Sequence, residues 1–144
     1  MGRMLRFVIA LIFLLPWSAG AESIVVVVNP ASGVESLERS DVVNIFLGSF
    51  RQFPSGVAAT PVDLPQGHPA RAEFYRLLVG KTPSEINTYW ARLVFSGKTR
   101  PPVKVERAEE AAALVQSMAG GITYMERSKA GMRQKIVFEL PMRE

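Results

Sequence analysis

The residues best placed to do chemistry sit together at Gln66-Gly67-His68-Pro69-Ala70-Arg71-Ala72. They read as the turn from a short strand into an amphipathic helix beginning near Pro69. A helix start directs backbone N–H groups and the positive end of the helix dipole at one point, which suits an anion. The amides of Ala70, Arg71 and Ala72 are expected to be uncompensated there, with the Arg71 cation beside them. Gly67, His68, Ala70, Arg71 and Ala72 are therefore the candidate anion-binding residues, contributing mainly backbone. His68, the only histidine, would add a donor that depends on pH. Between Leu64 and Arg71 there is no hydroxyl, although tight oxyanion sites add Ser/Thr donors and a bidentate arginine. On the residues alone two accounts stay open: a held anion, or a plain strand-to-helix turn wetted by solvent.

Other chemistry finds little support. One histidine and no cysteine give no metal-ligand spacing, no thiol nucleophile and no disulfide framework. Ser32 and Ser55 lie in turns but in no G-x-S-x-G elbow, and there is no Walker loop or G-x-G-x-x-G. The inventory points away from an enzyme and implies no cofactor. The basic cluster Arg127, Lys129, Arg133 and Lys135 lacks interleaved aromatics and reads as a solvated turn rather than a patch for an acidic partner. Nothing in the charge balance calls for nucleic acid.

These residues need a scaffold, and the chain begins with an address. Arg3 and Arg6 precede an apolar run from Phe7 to Trp17, and Ala19-Gly20-Ala21 has the small-x-small form of a signal-peptidase site. Cleavage after Ala21 is expected, leaving Glu22–Glu144 as one domain that does not span a membrane. The apolar run is shorter than the ~20 residues a bilayer needs, and without cysteine no lipid can be attached at that site. Of 17 basic residues, Arg3 and Arg6 leave with the leader, so 15 face 13 acids and the net charge falls from +4 to +2. The expected destination is the periplasm.

Along the mature chain, Ile24–Val28 is a run of five β-branched residues typical of a strand buried on both faces. A helix capped by Ser40 follows, with Val42, Val43, Phe46 and Leu47 facing inward and Gly48 at its end. Ser49–Ala58 is a loop carrying Phe50 and Phe53, and 60–64 is a second strand. The helix from Pro69 to Val79 has Ala70, Phe74, Leu77 and Leu78 on one stripe. Thr82-Pro83-Ser84-Glu85 is a capping box opening a helix with Ile86, Tyr89, Trp90, Leu93 and Val94 inward. Val103 and Val105 mark a short strand, 109–118 a helix, and 122–125 and 136–140 two last strands. The order β-α-β-α-α-β-α-β-β predicts an α/β three-layer sandwich with a mostly parallel sheet of about five strands. In such sheets ligands bind at carboxyl ends of strands, which selects the turns after Val28 and Leu64.

The order of motifs resembles the phosphate-binding components of ABC transporters. Val26-Val27-Val28-Asn29-Pro30 followed by Ile45-Phe46-Leu47-Gly48 is similar to a strand ending in Asn-Pro and a helix closing on Ile-Phe-x-Gly. Gln66–Phe74 stands where that family has Gly-Ser-Gly-Thr-Arg and then a Phe. Gly120-Gly121-Ile122-Thr123-Tyr124-Met125 is similar to its Pro-Gly-Ala-Ile-Gly-Tyr-Val strand. The resemblance implies a periplasmic-binding-protein type II fold, with this chain long enough for a single lobe. It also implies phosphate or a related oxyanion as ligand. The departures fall on the ligand residues: the family's Ser, Gly and Thr are His68, Pro69 and Ala70 here, and its arginine four residues before that Ser is Leu64. The expected function is a periplasmic solute-binding-like protein with weak or altered phosphate binding. The alternative is a non-catalytic envelope module that has lost its ligand and docks a membrane transporter or sensor, with Phe50, Phe53 and Pro54 exposed. Homodimerisation restoring two lobes is a variant of that reading.

Overall fold

A computed structural model describes residues 22–141; the expected leader at 1–21 lies outside them. The chain forms β1 (Ile24–Val28), α1 (Arg39–Phe46), β2 (Thr60–Asp63), α2 (Pro69–Val79), α3 (Pro83–Ser96), β3 (Val103–Lys104), α4 (Ala108–Ser117), β4 (Gly121–Glu126) and β5 (Lys135–Leu140). Single 3-10 turns occupy Pro30–Ser32 and Arg127–Lys129. The strands make one sheet in the order β3-β2-β4-β1-β5. β2 is parallel to β3 and β4, whereas β1 is antiparallel to both β4 and β5. Four strands thus share a direction and β1 alone opposes them, giving the expected mostly parallel α/β sheet.

β1 owes its interior place to its composition. All five side chains are buried, and each contributes about 1.5–3 kcal/mol by leaving water. Ile24, Val26 and Val28 face a core closed by α1, α2 and α3, with Val42, Ile45, Phe46, Phe74, Leu78 and Trp90. Val25 and Val27 face the opposite side, where Met125 and Ala112 of α4 meet them. Helices on both faces make the three layers.

The reversal of β1 corrects one expectation. Its carboxyl end, at Val28, pairs with Ile122 at the start of β4, so the turns after Val28 and Leu64 lie at opposite ends of the sheet. The Asn29 side chain closes helix ends instead. Its Nδ2 donates to the carbonyls of Val115 (3.0 Å) and Gln116 (3.1 Å) in α4, and its Oδ1 accepts from Ala31 N–H.

Helix boundaries follow local capping. α3 starts on the expected box: Glu85 N–H donates to Thr82 Oγ1 at 3.2 Å and Thr82 N–H to Glu85 Oε2 at 2.8 Å. α1 is capped by Glu38 rather than Ser40, because Asp41 returns a carboxylate to Glu38 N–H at 2.9 Å and completes a box two residues earlier. The last turn of α3 runs past the core, so Val94, expected inside, is 52% exposed and Phe95 is 96% exposed. In the Ser49–Ala58 loop Phe53 is buried while Phe50 is exposed, so only part of that loop offers apolar surface. Of the basic cluster, Arg127 pairs with Glu139 and Lys135 with Glu35.

Candidate functional site

Asp63, the last residue of β2, is the polar centre of the molecule. It is buried at the point where the strand leaves the sheet. A carboxylate there needs donors, since an unpaired buried charge is expensive, and four converge on it. Oδ1 accepts the N–H of Leu64 at 3.0 Å and the hydroxyl of Tyr124. Oδ2 accepts the hydroxyl of Tyr75 at 3.0 Å and Arg71 Nε at 3.3 Å. The donors come from β4, from α2 and from the turn between β2 and α2, so one carboxylate ties three segments together.

Aromatic packing sets these hydroxyls in place. The Tyr124 ring stacks on Phe74 at 3.8 Å with an interplanar angle of 4°, and Phe46 meets both rings edge-on. Burial, and then the Asp63 charge, push the Tyr75 and Tyr124 hydroxyls well above the ordinary tyrosine value. They therefore remain protonated donors across the physiological range.

Arg71 is buried on the inward face of α2. Its guanidinium lies over the Tyr75 ring at 5.3 Å. Beyond Asp63, its Nη1 donates to Gln66 Oε1 at 3.4 Å and its Nη2 to Asn87 Oδ1 at 3.1 Å. This cluster forms one side of a cavity of about 510 Å³ at the carboxyl ends of β2 and β3. Asp63, Arg71, Asn87, Trp90, Phe95 and Pro101 line it, together with Lys104 at the end of β3. With Asp63 offsetting Arg71, Lys104 leaves this wall with one net positive charge.

The expected helix start is present: Gly67 makes the turn in a left-handed conformation (φ 79°), which glycine adopts without a Cβ clash, and α2 begins at Pro69. Its amides, however, are engaged rather than free. His68 is the N-cap, with Nδ1 accepting from Ala70 N–H at 3.1 Å. The His68 carbonyl accepts from Arg71 N–H at 3.0 Å and Ala72 N–H at 3.4 Å. The turn satisfies itself because the histidine stands at the capping position. Of the five candidates, Arg71 is the one that lines the cavity. Asp63, Tyr75, Tyr124 and Asn87 escaped the sequence reading, and Gln66 stood in its stretch without a role. A signal for part of the set existed: Arg71 and Tyr75 lie on the same stripe as Ala70, Phe74 and Leu78, and a buried arginine needs a buried acid.

Among the described residues no group of three or more His, Asp or Glu side chains could hold a metal, and no helix is long and apolar enough to cross a membrane. No protein-family profile matches the chain, and no curated protein matches it. Solved structures do. A Clostridium perfringens protein described as a phosphate ABC transporter substrate-binding protein, solved with bound phosphate, is 16% identical with a TM-score of 0.63. An ABC-type phosphate transport receptor from Vibrio cholerae is 14% identical with a TM-score of 0.62, and PstS from Borrelia burgdorferi 12% with 0.61. Each likeness covers 81% of this chain but only 44%, 45% and 46% of the respective neighbours. The chain therefore shares the fold of these proteins and spans less than half their length.

Proposed function

We propose that this chain is an exported, periplasmic solute-binding-like protein that takes phosphate or another oxyanion weakly at the start of α2. Arg71 supplies the cation of its seat, with Gly67, His68, Ala70 and Ala72 forming the turn beside it, and the chain has no catalytic role. The observation that supports this most is the placement of a buried arginine on a solvent-open cavity at the carboxyl ends of β2 and β3, in the fold of phosphate-binding neighbours.

Weak binding follows from the same geometry. Asp63 holds Arg71 through Nε and offsets its charge. No hydroxyl lines the turn, and the Ala70 amide is occupied by His68. The cavity is open to solvent, where each charged contact is weakened.

The test is a titration of isotopically labelled protein, purified after export, with phosphate and sulfate. Saturable amide shifts at Gly67–Ala72 in the millimolar range are expected; silence there at tens of millimolar would defeat the proposal. A second reading, an envelope module docking a transporter or sensor, is favoured by Phe95 (96% exposed) and Val94 (52%) at the cavity wall. Crosslinking in intact cells distinguishes it: loss of an envelope adduct in Phe95→Ala would support docking, whereas an unchanged pattern would count against it.

A further inference from the structure

Gln66 and Asn87 are both exposed, yet they make a closed set of contacts around one buried cation. Gln66 Nε2 donates to Asn87 Oδ1 at 3.1 Å, and Asn87 Nδ2 donates to Gln66 Oε1 at 3.1 Å. The same two oxygens accept from Arg71 Nη1 and Nη2. The amides come from separate segments, the turn after β2 and the second turn of α3, so neither needs the other for its local structure.

Two oxygens facing the two Nη groups of a guanidinium reproduce the acceptor fork of a carboxylate or phosphate. Asp63 occupies the Nε side. The end left for a ligand is therefore covered by neutral oxygens belonging to the protein. Resting on the reading of Arg71 as the ligand's cation, we propose that the Gln66–Asn87 amide pair is an internal substitute for the oxyanion. It fills the seat when no ligand is bound and is displaced on binding. The pair prevents the buried Arg71 donors from going unsatisfied, which would carry a desolvation penalty. It also sets a threshold for entry. An ionised two-oxygen acceptor forms stronger, charge-assisted bonds than the amides it displaces and exceeds the threshold. A neutral solute or a monatomic halide offers no such fork.

Inorganic phosphate, with chloride as control, is titrated into the exported protein, Gln66→Ala/Asn87→Ala and Asn87→Asp, following backbone amide shifts. Removing the amide pair should tighten phosphate binding roughly tenfold and leave chloride without effect. Asn87→Asp places a permanent carboxylate at Nη2 and should abolish phosphate binding in a folded protein. Equal or weaker phosphate binding by the folded alanine variant overturns the inference, as does wild-type affinity in Asn87→Asp. The unsubstituted protein reports separately on the proposed function: if it binds and the alanine variant binds equally, only the amide-pair inference falls. If none of the three binds, both fall.

Discussion

At the scale of the residue, Asp63 and Arg71 are unequal partners. Removing Arg71 leaves Asp63 with the Leu64 amide and the Tyr75 and Tyr124 hydroxyls. Removing Asp63 strands those hydroxyls and a buried guanidinium together. Breaking a buried pair typically costs about 3–5 kcal/mol, and Asp63→Ala should lie at or above the upper end of that range, with Arg71→Ala below it. Urea denaturation of both variants checks the order; an equal or reversed pair of losses would show that the tyrosines do not share the charge. The tyrosines make a pH prediction as well. Their folded values are raised by burial and then by Asp63, so the folded state favours the protonated form. The stability tied to this is fully present below the ordinary tyrosine value of 10.0 and is lost as pH rises from there towards the raised folded values. Native protein should show little tyrosinate absorbance near that pH and should lose thermal stability above it. Free ionisation in the folded state would contradict the buried network.

At the scale of the element, local signals and long-range contacts part company. Thr82-x-x-Glu85 announced the start of α3 because both partners of a capping box lie within one turn; Thr82→Ala should cost about 1 kcal/mol, measured by thermal unfolding. Ser40 misled because serine is a good cap in isolation, and only the Asp41 carboxylate bonded to Glu38 N–H reveals the earlier start. The direction of β1 was not legible at all, since five buried valine-like side chains read the same in either direction. The Asp63 network was hidden for a related reason: its donors are spread from Leu64 to Tyr124, and no spacing rule joins them. The Gly120-Gly121 link into β4 shows how tightly these elements meet. A Cβ at Gly120 would lie 2.0 Å from the Ala58 carbonyl oxygen, a backbone atom that cannot step aside, and Thr60 N–H donates to the Gly120 carbonyl at 2.7 Å. Gly120→Ala should therefore cost about 3 kcal/mol or more; a loss under about 1 kcal/mol would mean the strand shifts freely.

At the scale of the whole molecule, the chain shares its fold with less than half the length of its structural neighbours. The described fold takes hold immediately after the expected cleavage point: Ser23 Oγ donates to Glu139 at 2.6 Å, and its carbonyl accepts from Arg127 N–H. Mass spectrometry of the exported protein should find Glu22 at its N-terminus, whereas an intact leader would contradict processing at Ala21. The central claim is that an oxyanion is held by a buried arginine whose charge Asp63 already offsets. The most direct measurement compares phosphate titrations of the exported protein and of Asp63→Asn/Arg71→Gln, which removes both charges together and so strands neither. Saturable millimolar binding by the first and none by the folded second is the predicted result; equal titration of the two, or no binding by the unsubstituted protein, would contradict it.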